Sequence, residues 1–283
     1  MTVRDLVTDL FAEHIDAVTT EPVRLQALVE LLRGFGVAEP TARMTTAALR
    51  REGWLAASRR GRETLYTPTE VLRGSVRGRS ARLDECLGPW DGRWRVVIYT
   101  VPETDRSARE RVRRTLTRHG FGPLAPATWV SPHRRALDDV RTELAGEPVS
   151  RLHLLTAQVA AETGGSDREL AARCWDLQGV AGAYRRQIDR LRAVLVGPPL
   201  AGPAALVTHL RALAEVRRTV LRDPLLPEAL RPPGWPGAEM RLAWAEFCAR
   251  LAEPARGHVA AVLAGSERIA VGADQRCTVD MSG

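Results

Sequence analysis

One segment, Glu39 to Thr67 (EPTARMTTAALRREGWLAASRRGRETLYT), restricts the fold more than any other part of the chain. On a helix at 100° per residue, Ala42, Thr45, Thr46 and Leu49 gather on one side, while Arg43, Ala47, Arg50 and Arg51 share the other. Pro40 suits the first turn of such a helix and Gly53 its end. Trp54 and Leu55 then open a strand, Arg59 to Arg62 make a turn, and Leu65 and Tyr66 return. The arginine side of this helix cannot be buried, so it must pack through its other side. Two amphipathic helices upstream offer the partner: one from about Val3 to Ile15 with Leu6, Val7, Leu10, Phe11 and Ile15 in line, and one after Glu21-Pro22 carrying Leu25, Leu28, Val29 and Leu32 up to Gly34. Three helices followed by a basic hairpin predict a winged helix-turn-helix over residues 1–70.

Charge supports the same segment only through its distribution. The formal net charge is +7, and the chain contains no lysine, so every basic side chain is an arginine. Together with the Ala, Gly and Pro content this indicates a coding bias, which makes the total a weak signal. Residues 1–38 carry a net −3 and residues 39–83 a net +6, while residues 84–160 and 161–283 carry +2 each. A basic stripe confined to one small segment is the footprint of a polyanionic partner. The expected partner is double-stranded DNA. Thr41, Arg43, Met44, Thr45, Ala47, Arg50 and Arg51 on the helix, with Arg59, Arg60, Arg62 and Tyr66 on the hairpin, are the candidate contacts. An arginine bidentate to guanine discriminates by about 1–3 kcal/mol. The hairpin arginines are better placed for phosphate, adding salt-sensitive affinity without sequence choice.

Beyond residue 70 the pattern changes twice. Residues 71–89 read as a basic linker broken by Gly and Ser. Arg93 to Val101 is a strongly β-forming run, Ser107 to Glu110 resembles a capping box opening a helix to about His119, and Phe121 to Val130 supplies a hairpin or strand. Arg135 to Leu144 adds a second helix and Val149 to Leu155 another strand. Strands alternating with two helices predict a ferredoxin-like α+β domain over residues 90–160. From residue 166 the chain is helical: Ser166 and Glu169 form a capping box, and apolar residues recur from Leu170 to Leu195 unless Asp176 caps a fresh helix there. Gly197-Pro198-Pro199 ends that run, Leu206 to Val220 marks the next helix, Asp223 to Gly237 is a proline-rich loop, and a last helix starts near Ala238. A helical C-terminal domain is expected over residues 166–265, with a disordered tail at 266–283. The fold class is α+β.

No apolar run reaches the roughly 18 to 20 residues that span a bilayer, and the N-terminus lacks a signal-peptide core, so a cytoplasmic protein without a membrane partner is expected. Cys86, Cys174, Cys248 and Cys277 are too far apart for a zinc or redox motif, and no cofactor or metal is expected.

These segments, in this order, resemble the PaaX-type transcriptional repressors, the family named for regulating phenylacetic acid degradation. The matching residues are Arg43, Leu49, Arg51 to Leu55, Arg60 to Arg62 and Tyr66; Trp90 to Arg95, Tyr99, Val101 to Glu103, Gly120 to Gly122 and Trp129 to Pro132; then Trp175 to Leu177, Tyr184, Asp223-Pro224, Leu226-Pro227 and Trp235 to Gly237. Departures occur at Ala38, Ala48 and Pro68, where serine, arginine and leucine are common in the family. The resemblance implies a homodimeric repressor on an inverted-repeat operator, released by an aryl-CoA thioester such as phenylacetyl-CoA. It also implies a middle domain similar to the ferredoxin-like nucleases of CRISPR adaptation.

Two further site readings follow. An aryl group needs an aromatic wall and CoA phosphates need arginine; Trp90, Arg93, Trp94, Arg95, Trp129, Trp175, Tyr184 and Arg185 supply both, although each tryptophan taken singly better suits core or interdomain packing. The alternative class is an enzyme, either a metal-dependent nuclease or an acyl-CoA-processing protein with a DNA-binding head. Against it, the strand ending Tyr99 to Pro102 carries no carboxylate before Glu103, Asp91 lies at the opposite end, and His119, His133 and His153 have no ligand-spaced partner in sequence. No catalytic residue is expected.

Overall fold

The computed structural model describes residues 1–61, 63–75, 89–102, 104–134, 136–147, 149, 151–160 and 165–279, the last thirteen of these by backbone alone. Part of the expected linker, residues 76–88, and the end of the expected tail, residues 280–283, lie outside them. The architecture is α+β. Contacts divide the chain into two compact units, one formed by Met1–Asp84, Arg186–Arg218 and Glu239–Gly283, the other by Glu85–Arg185 and Thr219–Ala238. The expected succession of domains is therefore interleaved by contact: the helices after residue 185 are shared between units. The cause is a set of buried long-range pairs, described below.

In the first unit, α1 (Val3–Leu10) starts with a capping box in which Thr2 and Asp5 exchange hydrogen bonds, then widens into a π-helical turn (Phe11–Ile15) and ends in α2 (Asp16–Val18). Leu6, Val7, Leu10, Phe11 and Ile15 are all buried, as their spacing predicts. A two-residue strand, β1 (Val23–Arg24), precedes α3 (Leu25–Arg33), which is followed by α4 (Glu39–Arg51). The hairpin β2 (Leu55–Arg60) and β3 (Glu63–Pro68) follows, and β1 adds to its β3 edge in the order β1-β3-β2. Arg59 and Arg60 belong to the strand, opposite Thr64 and Glu63, and not to the turn as expected.

Helices from the C-terminal half complete this unit. They comprise the second part of α8 (Leu177–Val196), most of α9 (Gly202–Val220) and the long α10 (Gly237–Val279). Asp9 on α1, only 1% exposed in its side chain, makes an ion pair with Arg217 of α9, and Glu13 lies 3.8 Å from the same guanidinium. His14 Nε2 meets His209 Nδ1 at 3.0 Å, and His209 stacks on Trp244 and Phe247 of α10. α10 tolerates Pro254 at the loss of one backbone hydrogen bond. It continues to Val279, so residues 266–279 are helical where the sequence predicts a tail without structure.

Burial holds both imidazoles neutral, pushing His14 down to about 3 and His209 down to about 4. The nearby Arg256 lowers both further, and His209 also lowers His14. In the unfolded chain each titrates near its ordinary value, so between pH 6.5 and 4 the unfolded state takes up protons that the native state refuses. Stability is present above pH 6.5 and falls as the pH drops, with a limiting slope of about 1.4 kcal/mol per pH unit for each histidine. Melting from pH 7.5 down to pH 4.5 should show this decline, and His14→Gln with His209→Gln should flatten it.

The second unit contains β4 (Trp94–Thr100), α5 (Arg106–Arg118), β5 (Gly122–Ala125), β6 (Thr128–Ser131), α6 (Ala136–Leu144) and β7 (Arg151–Ala157). Its antiparallel sheet has the order β5-β6-β4-β7. Val97, Tyr99, Ala108, Val112, Leu116, Phe121, Trp129 and Val140 make the core between helices and sheet. The helix cap differs from expectation: Asp105, not Ser107, accepts from the backbone N–H of Ala108 at 2.8 Å, and Ser107 donates to Asp105. α7 (Asp167–Cys174) carries the capping box of Ser166 and Glu169 and ends before Trp175. Asp176 accepts from the N–H of Gly179 at 2.9 Å and starts α8, so the apolar run after Leu170 is two helices. Trp94, Val130, Ala171, Cys174, Leu177, Leu226 and Leu230 form a second core cluster.

Candidate nucleic-acid interface

α4 is held by its small side. Ala42, Thr46 and Leu49 are buried, and Thr46 Oγ1 donates to the Ala42 carbonyl at 2.8 Å, leaving no unsatisfied hydroxyl. Ala38 provides no side-chain cap, while Pro40 sits in the first turn. At the other end Trp54 N–H donates to Leu49 O at 2.9 Å and Gly53 N–H to Arg50 O at 3.1 Å, with Gly53 at φ +76°. This is the six-to-one and five-to-two hydrogen-bond pattern of a Schellman ending, which turns the chain directly into β2. A Cβ at Gly53 would meet nothing within 4 Å, so the cost of substitution is purely that of the left-handed backbone. Gly53→Ala should therefore lower the unfolding free energy by about 1 kcal/mol, read by denaturant titration, with Gly53→Asn losing less.

The opposite face of α4 is open. Arg43, Met44, Arg50 and Arg51 are exposed, with Met44 at 70%, and Ala47 and Thr45 are half-buried beside them. Thr41 is exposed near the start of the helix. Arg43 is tied to Glu39 one turn back at 2.7 Å. Among the described residues Arg50, Arg51, Arg59 and Arg60 make no ion pair, although carboxylates elsewhere in the unit are matched to Arg4, Arg24, Arg73 and Arg217. β2 is exposed from Ala56 to Arg60. Apart from Arg43, the cations of this face are guanidinium groups with no ion-pair partner among the described residues.

One of the expected contacts is buried. Tyr66 is 5% exposed and lies between Val23 and Ala57 in the small sheet, so it is part of the core and not of the open face. Arg62 lies outside the described residues. The reason for the Tyr66 error is β1: the two-residue strand pairs with β3 and carries Arg24, whose Nε bonds Glu63 at 2.7 Å, and nothing in so short a strand announces itself in sequence.

Most of the residues expected to wall a ligand are engaged within the fold. Trp94 is buried, donates its indole N–H to Asp167 at 2.7 Å, and packs against Trp90 and Trp175 within the second core cluster. Trp175 lies so close to the backbone of Gly122 that a Cβ there would sit 2.6 Å from the ring. Trp129 is buried in the first cluster with the Arg113 guanidinium 5.7 Å from its ring centre. Tyr184 is buried, donating to Asp223 at 2.8 Å and packed on Trp235. Arg95 is locked by Asp91 through two hydrogen bonds at 2.8 and 2.7 Å, and Arg95 holds the Asp91 carboxyl down at about 2. Arg93 and Arg185 are exposed, the latter reaching the carbonyl of Gly234. Apart from the exposed Arg93 and Arg185, these side chains pack the interior or one another.

Other reactive groups are similarly engaged. His119 contacts Glu143 at 2.6 Å across α5 and α6, a partner that sequence spacing hides, and His133 faces the carbonyl of Pro224 at 2.9 Å. Burial pushes the thiols of Cys174 and Cys248 up to about 11 and about 12, so neither is a nucleophile at neutral pH. Among the described residues no group of three or more His, Cys, Asp or Glu side chains converges as a metal site, and no helix is long and apolar enough to cross a membrane.

Three family models match the chain in succession: the PaaX-like protein over residues 2–72, the PaaX protein central Cas2-like domain over residues 87–171, and the PaaX-like protein C-terminal domain over residues 175–261. The chain belongs to the PaaX family. Among named relatives, it is 29% identical over 262 residues to the transcriptional repressor PaaX of Escherichia coli (strain K12), covering 90% of this chain and 82% of that protein. Among solved structures, it is similar to the uncharacterized protein Rv0674 from Mycobacterium tuberculosis, with 26% identity, a TM-score of 0.64, and coverage of 91% of this chain and 98% of the other.

Proposed function

We propose that this protein is a DNA-binding transcriptional repressor, without enzymatic activity, that acts as a cytoplasmic homodimer on an inverted-repeat operator. The observation that carries the reading is the open face of α4, where Arg50 and Arg51 lack any internal counterion among the described residues, continued by Arg59 and Arg60 on the exposed strand β2. The order of helices and hairpin in the first unit supports a winged helix-turn-helix, with α4 as the helix that enters the major groove. There Arg43, Arg50 and Arg51 would meet base edges or phosphate, and Met44 and Ala47 would meet thymine methyl groups. Arg59, Arg60 and Arg62 on the wing would hold phosphate. The strand order in the second unit, with a helix after each of β4 and β6, supports a ferredoxin-like middle domain, in keeping with the central-domain family match.

An effector would release the repressor, and an aryl- or acyl-CoA thioester such as phenylacetyl-CoA is the class we infer from the family. It would act by binding the dimer geometry that mismatches the operator more tightly than the one that fits.

Genome-wide binding followed by footprinting tests the reading: protection of inverted half-sites spaced by a whole number of helical turns is the expected result, and no sequence-selective protection would overturn it. Arg59→Ala with Arg60→Ala should reduce the slope of log affinity against log salt by about 1 to 2 while leaving operator preference intact. An unchanged slope would remove the wing from the interface.

A further inference from the structure

We propose that a cavity at one end of the second unit's sheet is an organic-phosphate site, and that it is the effector site of the repressor proposed above, on which reading this assignment rests. The cavity is about 670 Å³ and is lined by Tyr99, Thr100 and Val101 at the end of β4, by Arg106, Arg109, Glu110 and Arg113 on α5, and by Pro126 and Ala127 in the β5–β6 turn. That volume lies within the roughly 300–1,000 Å³ of small-molecule sites. It involves none of the tryptophans that the sequence nominates.

Three features define its ligand. The first is charge: three guanidinium groups face one carboxylate in the lining. The second is spacing. Arg106, Arg109 and Arg113 follow one another on a single face of α5, while Ala108, Val112, Thr115 and Leu116 bury the other, so the guanidinium groups are strung along about 10 Å of helix axis. That length suits two or more linked phosphates better than a single carboxylate, and arginine forks engage phosphate bidentately. Arg113 is further positioned by its approach to the Trp129 ring.

The third feature is the apolar lining. Ala127 sits at φ 57°, a left-handed conformation that disfavours alanine, and it is held there as its carbonyl accepts from Tyr99 N–H at 3.1 Å. Strained backbone of this kind costs about 1 to 3 kcal/mol and clusters at ligand-holding sites. With Pro126, Val101 and Tyr99 it supplies the apolar part of the lining beside the arginines. A ligand with an apolar body and a pyrophosphate-like end fits both parts. The concave shape suits a small molecule, whereas a DNA backbone needs a surface that extends beyond the cavity.

The test uses the full-length protein, with inorganic pyrophosphate, ADP and coenzyme A as probes in titration calorimetry against sodium sulfate at equal ionic strength. Saturable binding of at least one organic diphosphate at one per chain is expected, weakened tenfold or more by Arg106→Ala with Arg113→Ala, both exposed, at unchanged melting temperature. Failure of all three probes to bind, or equal binding by the variant, overturns the site. So does a variant that loses affinity for DNA while the wild type binds no organic diphosphate, since the arginines would then belong to a nucleic-acid surface. Operator binding by the unliganded wild type is measured in parallel. Its absence sinks the repressor reading even where the phosphate binds, whereas its presence without phosphate binding sinks the cavity assignment alone.

Discussion

Arg50→Ala combined with Arg51→Ala should weaken operator binding by roughly 30- to 1,000-fold, corresponding to about 2 to 4 kcal/mol for two arginine contacts. The fold should be untouched, because both side chains are exposed and neither makes an ion pair among the described residues. Gel-shift titration with the operator, beside a circular-dichroism melt, separates the two effects. Arg43→Ala is expected to be milder, since Arg43 must first leave Glu39 and so already contributes less to the open charge. Wild-type affinity in the double variant would exclude this face of α4 from the interface.

The second large effect is on stability. Asp9→Ala should destabilise the first unit by about 3 kcal/mol, because removing one member of a buried pair strands the other charge. Arg217 is only 10% exposed in its side chain, and Glu13 at 3.8 Å is too distant to replace the lost hydrogen bond. Asp9→Leu with Arg217→Met should recover most of that loss, since a well-packed apolar pair removes the desolvation cost altogether. Chemical denaturation of Asp9→Leu, Arg217→Met and the double variant provides the cycle, with Asp9→Ala beside them. A double variant no more stable than Asp9→Ala would mean that the pair's value lies in its geometry and not in avoiding a stranded charge.

Much of this architecture is visible in the chain's local patterns. The buried positions of α1, α3 and α4 follow from 3.6-residue spacing, and Gly53 announces its own left-handed turn. Asp176 marks a helix start by the ordinary logic of capping. What is not visible depends on residues distant in sequence. Asp9 and Arg217 are 208 positions apart and His14 and His209 are 195 apart, and nothing around either acid or imidazole indicates a partner. The tryptophans are ambiguous in sequence for a related reason. An aromatic ring beside arginines has the same composition in a binding wall as in a core, and only the contacts of Trp94 with Asp167, Trp90 and Trp175 distinguish them. The arginines at 106, 109 and 113 are plain in the sequence, but only the fold brings them to one cavity with the turn at Ala127.

The absence of lysine has a consequence for how this protein can respond to its surroundings. Every cation on the open face of α4 and β2 is a guanidinium, which stays protonated at any pH a cell reaches. Acetyl transfer to lysine side chains, a common means of weakening a grip on DNA, has no target in this chain. The charge of these guanidinium groups is thus fixed, and the buried neutral imidazoles of His14 and His209 couple acidity to the stability of the unit that carries them.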